Sequence, residues 1–302
     1  MQTVLQTNFN GIDGLELTQI DKPTLTANGV MVEMDLVPIS PTDIKRESNP
    51  NATQEALAKL PRTIGYSGTG TVVAVGENRN PALRNRRVLV MHPTGSYSDH
   101  LVSENPDWLF PLPDAVDNKS AATLTATPYV LLDAIMNATA HGTDNIVITG
   151  ANSVIGQYLL QLLAHETDFK AKVWPIVSPS SATYFEQQFP KQAHNTATTL
   201  PQLNRTLIVD IAGSTALIEA LLPHIAQPTI VSIALMHYQT TVPFQFVHEK
   251  FNADQYRALI QHLATKQLTA PVGRIFPVTE IKHAQHFVQD THSRGRVLVS
   301  FH

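Results

Sequence analysis

Up to about residue 115 the apolar positions come in short alternating runs separated by glycine and proline. Residues 30–37 alternate around Met31, Glu33 and Asp35, and residues 70–75 and 87–91 are short β-branched runs between turn signals. Gly65, Gly68, Gly70, Gly76, Pro81, Pro93 and Gly95 break the stretch into many short strands, which predicts a closed or sandwiched β domain. The period changes after residues 111–114. From Lys119 the apolar residues Ala121, Leu124, Val130, Leu131, Ala134 and Ile135 follow a helical spacing. Strands at 145–149, 172–177, 206–211 and 229–235 then alternate with helices at 156–165, 181–189 and 216–225. Such alternation predicts right-handed βαβ units around a parallel, doubly wound sheet. A further amphipathic helix at 254–265 precedes a tail that returns to strand (273–277), helix (279–289) and strand (296–301).

Composition narrows the classes. A chain of 302 residues with 43% apolar residues accommodates two cores, and two domains are expected. Charged residues make up 15% and the formal net charge is −4, so no basic stripe for nucleic acid is expected. There are no cysteines, which excludes disulfides and thiolate metal sites. No apolar run approaches the ~18 residues of a membrane span and no secretory signal is legible at the N-terminus, so a cytoplasmic protein without membrane attachment is expected.

The most informative local stretch is Ile146-Val147-Ile148-Thr149-Gly150-Ala151-Asn152-Ser153-Val154-Ile155-Gly156. It reads strand, tight turn, helix. Small residues at Gly150, Ala151 and Ser153 let backbone approach a pyrophosphate, and Gly156 lets the helix pack on the strand. The amides around Asn152, Val154 and Ile155 open the helix and are candidate phosphate donors. The glycine pattern is Gly-x-x-Ser-x-x-Gly rather than a full Gly-x-Gly-x-x-Gly. The next strand ends Val177-Ser178-Pro179-Ser180-Ser181, with no acid for a ribose 2′-hydroxyl and with hydroxyls at Ser178 and Ser181 that can donate to a 2′-phosphate. This favours NADPH over NADH as cofactor, although no Arg or Lys stands there to pair with the phosphate.

An ordered set of motifs resembles the zinc-less, quinone oxidoreductase-like branch of the medium-chain dehydrogenases/reductases. Ser40-Pro41-Thr42-Asp43 resembles that branch's Asn-Pro-x-Asp segment, and Gly65-Tyr66-Ser67-Gly68-Thr69-Gly70-Thr71-Val72 its G-x-E-x-x-G-x-V. Val75-Gly76, Arg86-Arg87-Val88, Gly95-Ser96-Tyr97-Ser98-Asp99, the 150–156 turn and Gly295-Arg296-Val297-Leu298-Val299 follow in the same order. The resemblance implies an α/β architecture with a GroES-like β-rich domain from both chain ends (1–118 and 266–302) and a Rossmann domain (119–265) between them. It also implies a homodimer acting on a small-molecule substrate.

Zinc-dependent relatives place Cys, His and Glu where this chain has Ser40, Tyr66 and Ser67, none of them an ordinary zinc ligand, so no metal is expected. Chemistry then falls to the nicotinamide, with the protein orienting it and stabilising a developing oxyanion. The resemblance makes Asp43, Tyr66 and Ser67 the candidate catalytic residues, with an amide-capping role as the other reading of Asp43. It makes Ala212 and Leu235, at strand ends, candidates for the nicotinamide side of the cofactor site. Tyr97 either lines the cofactor phosphates or packs as a strand residue, and His92 is the histidine expected nearest the cleft. The expected activity is NADPH-dependent reduction of a quinone or an α,β-unsaturated carbonyl. An enoyl-thioester reductase, or a non-catalytic NADPH-binding sensor, are the alternatives. Enoyl-thioester reductases use a Tyr between the first two motifs, and residues 47–64 contain none.

Overall fold

The computed structural model describes residues 1–291 and 294–302, so His292 lies outside the described residues. The chain divides into two compact units: Met1–Leu124 with Tyr256–Lys266 and Ala270–His302, and Thr125–Gln255 with Gln267–Thr269.

In the first unit the predicted alternation builds the central strand, Val30–Pro38, with Val30, Val32 and Met34 turned into the core and Met31, Glu33 and Asp35 half-buried. It belongs to a seven-stranded sheet running Val272–Pro277, Arg296–Ser300, Val30–Pro38, Ser67–Val75, Arg87–Met91, Leu109–Pro111, with His100–Ser103 also paired to Val30–Pro38. The two chain ends meet where Val299 pairs antiparallel with Val37, and Val297, Val299 and Phe276 share one core with Val32, Val72 and Val90. A smaller sheet holds Leu15–Gln19, Gln2–Gln6 and Arg62–Thr63.

The second unit carries a five-stranded, all-parallel sheet in the order Lys172–Ile176, Asn145–Thr149, Thr206–Asp210, Pro228–Ser232, Phe244–Phe246. Its first strand in the chain is second in space, so the chain reverses direction across the sheet between Asn145–Thr149 and Thr206–Asp210. Crevices at such a reversal, outside the carboxyl ends of the strands, are where doubly wound sheets take ligands. Beyond Lys172–Ile176 an isolated parallel bridge, Ile176 to Asn195, marks a further strand reduced to a single pairing. Ile146, Val147 and Ile148 are fully buried, which explains a continuous apolar run rather than an alternating one.

Several boundaries differ from the sequence expectation. The helical period from Lys119 is two helices, Asn118–Ala122 and Thr127–Ala140. Pro128, without an amide hydrogen, is accommodated in the first turn of the second, where none is needed. Residues 119–124 and 256–265, assigned by pattern to the nucleotide domain, lie in the first unit. Ala122 packs there with Leu36 and Leu298, and the Tyr256 ring lies 5.7 Å from that of Phe110. The strand expected at 229–235 ends at Ser232. Among the described residues no helix is long and apolar enough to cross a membrane.

Candidate functional site

The turn after Asn145–Thr149 is built by three polar contacts. Gly150 takes φ +62°, a left-handed conformation, and its carbonyl accepts from Ser153 N at 2.9 Å. Ser153 caps the helix Val154–His165, its Oγ accepting from Gly156 N at 3.1 Å. The Val154 and Ile155 amides open the helix without an intrahelical acceptor. A Cβ on Gly156 would sit 2.6 Å from the Gly150 carbonyl oxygen and 2.7 Å from that of Ala151, so only glycine permits this approach of helix to turn. The buried Gln157 reaches back from the helix, its Nε2 donating to Asn152 O at 2.9 Å and to Tyr184 Oη at 3.0 Å. Sequence reading missed Gln157 and Tyr184. The available signal was a polar residue on an otherwise apolar helix face.

Of the serines expected to meet a 2′-phosphate, Ser178 is exposed, but Ser181 is only 4% exposed at the start of the next helix. The exposed partner of Ser178 is Ser180, with the two hydroxyls 3.1 Å apart.

At the carboxyl ends of three adjacent strands stands a buried network centred on Asp210. Asp210 Oδ1 accepts from Thr149 Oγ1 at 2.8 Å and from Gly213 N at 3.0 Å, and Oδ2 accepts from Ser232 Oγ at 2.7 Å. Thr149 Oγ1 in turn accepts from the amides of Ile211 and Ala212 at 3.1 and 3.2 Å. Ser232 Oγ accepts from the amides of Ala234 and Leu235 at 3.1 and 2.9 Å. Ile233 N still donates to the Asp210 carbonyl on the neighbouring strand at 3.1 Å, and the strand stops there because the Ala234 and Leu235 amides turn toward the Ser232 hydroxyl. The Leu235 side chain packs against the core beneath.

In the first unit Asp43 forms a capping box with Ser40 at the start of the helix Pro41–Glu47. Its Oδ2 accepts from Ser40 N at 2.9 Å and Ser40 Oγ at 2.8 Å, and Asp43 N donates to Ser40 Oγ at 3.3 Å. Burial raises the Asp43 carboxyl above its ordinary range, against lowering by the Ser40 hydrogen bonds and by Arg296 and Arg46. The carboxylate of this candidate is thus engaged with its own helix start. Tyr66 and Ser67 lie side by side at the head of Ser67–Val75, the Tyr66 carbonyl accepting from His92 N at 2.6 Å and the Ser67 carbonyl from Ser96 Oγ at 2.8 Å. His92 Nδ1 lies 2.6 Å from the Gly95 carbonyl, which as an acceptor places the proton on Nδ1. Tyr97 lies between the strands Arg87–Met91 and His100–Ser103, outside either, and is fully buried in the core, with its Oη donating to the Pro38 carbonyl at 2.9 Å. Burial lifts its phenol well above the ordinary value. Among the described residues no three His, Asp or Glu side chains gather as a metal ion would require.

A parallel nucleotide-type sheet in one unit and a β-rich unit drawn from both chain ends together match the fold of the medium-chain dehydrogenases/reductases. The structure of the quinone oxidoreductase from Coxiella burnetii superposes with a TM-score of 0.82 at 18% identity, over 100% of this chain and 99% of that one. A protein from Bacillus thuringiensis described as an NADPH:quinone reductase matches at a TM-score of 0.77 and 20% identity, over 100% and 99% of the two chains. By sequence, the mitochondrial enoyl-[acyl-carrier-protein] reductase of Arabidopsis thaliana is 31% identical over 137 residues. That match spans 45% of this chain and 36% of the plant enzyme's length. No family model matches the sequence.

Proposed function

We propose that the chain is a zinc-less, NADPH-dependent oxidoreductase of the medium-chain dehydrogenase/reductase family that reduces a quinone or an α,β-unsaturated carbonyl. The observation that carries this reading is the turn at residues 150–156, standing at the carboxyl edge of the parallel sheet inside a fold shared over the whole chain with quinone reductases. The residues present fit a dinucleotide. Gly156 leaves a cradle that a Cβ would fill, the helix start offers amides to a diphosphate, and Ser178 with Ser180 offers hydroxyls to a 2′-phosphate. When bound, the nicotinamide supplies the hydride. The chain's own contribution is to bind and orient: Ser153 fixes the helix start, Gln157 ties the turn to Tyr184, and Asp210 fixes the two loops beyond it. Absence of metal catalysis follows from residue types, with Ser40, Tyr66 and Ser67 at the ligand positions of zinc-dependent relatives. Loss of NADPH absorbance with a panel of quinones and enones tests the proposal. Tight NADPH binding with no turnover of any member would refute it.

The match to the plant enoyl reductase favours a second reading, reduction of an enoyl thioester. The lack of a Tyr in residues 47–64 speaks against it. Turnover of a crotonyl thioester in the same assay distinguishes the two.

A further inference from the structure

The dinucleotide reading leaves unused a line of three polar side chains within the first unit. On the strand His100–Ser103, His100 and Val102 stand opposite Glu33 and Met31 of Val30–Pro38, on the face turned away from the core. A histidine on such a face ordinarily meets water, yet His100 is only 9% exposed. Its Nδ1 lies 2.7 Å from Asp99 Oδ1 and its Nε2 lies 3.0 Å from Nζ of the exposed Lys22. Asp99 is fixed in turn, its Oδ2 accepting from Gln2 N at 2.8 Å. Burial alone would raise the Asp99 carboxyl. The hydrogen bonds from His100 and Gln2 and the charges of His100 and the N-terminus outweigh it and hold the carboxyl below its ordinary range. An ammonium seeking only charge would meet the carboxylate directly, but here an imidazole stands between the two. Asp99 accepts from Nδ1–H, so the contact of Nε2 with Nζ shares one proton between two nitrogens, one of which keeps a lone pair. Asp99, with Glu33 on the same face, is placed to compensate positive charge on the ring when the proton moves there. The amine then holds the lone pair. Two residues beyond Lys22 and two beyond His100, Thr24 and Val102 wall a cavity of about 310 Å³ together with Thr26, Glu104 and Trp108.

We propose that Lys22, His100 and Asp99 form an acyl-acceptor relay, in which the Lys22 amine takes the acyl group of a small thioester. This activity goes beyond the dinucleotide reading and does not depend on it. His100 takes a proton from the Lys22 ammonium, and the freed lone pair attacks the thioester carbonyl. The C–N bond forms, the C–S bond breaks, and the sulfur leaves with the electron pair. His100 returns its proton to the sulfur, giving a thiol. The second surplus proton of the nitrogen goes to water, so the product is a neutral amide and nothing is oxidised or reduced. Asp99 is the positioning residue, holding the ring with Nε2 toward the amine and compensating the charge the ring acquires. A thioester is the fitting donor because a thiol, with an ordinary pKa of about 8.5, leaves as a weakly basic thiolate that an imidazolium can follow with a proton. In the cavity Val102 and Trp108 give an apolar wall for a short acyl chain, and Thr24 and Thr26 give hydroxyls for the polar remainder.

The test exposes the full chain to S-acetyl-N-acetylcysteamine near neutral pH and follows acetylation of each lysine by peptide mass spectrometry. Lys22 is expected to react about a hundredfold faster than the other lysines, the low end of what a positioned base supplies. In His100→Gln an acceptor still faces Lys22 and a donor still faces Asp99, but no proton can be carried. The Lys22 rate should then fall to that of the other lysines with the melting temperature kept. Asp99→Asn keeps the shape and removes the charge. Its Lys22 rate should fall by at least about tenfold near neutral pH and recover toward about pH 10, where an ordinary lysine amine is itself free. Loss of packing alone would not produce that profile, and Asp99→Asn decides the matter if His100→Gln does not fold. Lys22 reacting no faster than the other lysines in the unaltered protein overturns the proposal, as does an undiminished Lys22 rate in the folded variants.

Discussion

Gln285 Nε2 donates to Glu47 Oε1 at 2.9 Å, joining the end of the helix Pro41–Glu47 to the helix Ile281–Thr291 inside the first unit. Glu47 is 2% exposed and Gln285 fully buried, and the other oxygen of each, Glu47 Oε2 and Gln285 Oε1, has no hydrogen-bond partner among the described residues. The pair has two acceptors too many and is one proton short. Around it, Gln6 Nε2 donates to the Glu47 carbonyl at 3.0 Å and Arg62 Nε to Gln6 Oε1 at 3.0 Å. Burial pushes the Glu47 carboxyl up to about 7, helped by the charge of Asp43 and opposed by the Gln285 hydrogen bond and by Arg62.

That shift gives a pH dependence of stability. The folded value lies above the unfolded one, so the native state holds the proton more tightly. Its contribution is complete below about 4.5 and is lost as pH rises through about 7. Glu47→Gln keeps the shape, supplies a donor and removes the titration. The expected result is a melting temperature a few degrees above that of the unaltered protein at pH 8, for a gain on the order of 2 kcal/mol, and no advantage at pH 4. Thermal melts across that range check it. An unchanged slope of melting temperature against pH in the variant would contradict it.

Gly156→Ala places a methyl group 2.6 Å from the Gly150 carbonyl, a backbone atom that cannot step aside. The helix Val154–His165 must move off the turn, at a cost of about 1–3 kcal/mol. Because the Ser153 cap moves with it, binding of NADPH should be lost more completely than stability. Paired melting and binding measurements separate the two effects.

Ser178→Asp introduces a carboxylate where an exposed hydroxyl now lies 3.1 Å from that of Ser180. Repulsion of a 2′-phosphate is expected to weaken NADPH binding by at least about tenfold while NADH is held as well or better. A variant that retains its preference for NADPH would relocate the 2′-phosphate away from this loop.

Gly65 adopts φ +87° against the Tyr97 ring, where a Cβ would come within 2.3 Å of Cδ2. Gly65→Ala therefore meets both backbone strain and a clash, and loss of the folded first unit is expected. Tyr97→Phe leaves the ring in place and removes only the donor to the Pro38 carbonyl. It should cost about 1 kcal/mol and leave nucleotide binding untouched, which chemical denaturation and calorimetry together measure.

The sequence by itself determined the elements whose period is strong and the residues whose identity forbids or requires a chemistry. Alternation at residues 30–37 marks a strand that is half-buried on one side, and the unbroken run Ile146-Val147-Ile148 marks one buried on both. The small residues of the 150–156 turn and the missing cysteines are equally local facts. Patterning also placed the sheet returns near both chain ends, because each strand there carries its own apolar face.

What only the tertiary structure decided is which polar groups meet. Thr149, Asp210 and Ser232 are 61 and 22 residues apart in successive pairs, and nothing in any one strand announces that their ends adjoin. Glu47 and Gln285 are separated by 238 residues and look like solvated helix positions until the packing of two helices encloses them. Ser181 and Ser178 are alike in sequence, and only the turn into the next helix buries one and exposes the other. Apolar burial is read from a residue's own neighbours along the chain. The partner of a buried hydrogen bond is fixed by geometry across the fold, where sequence separation carries no information.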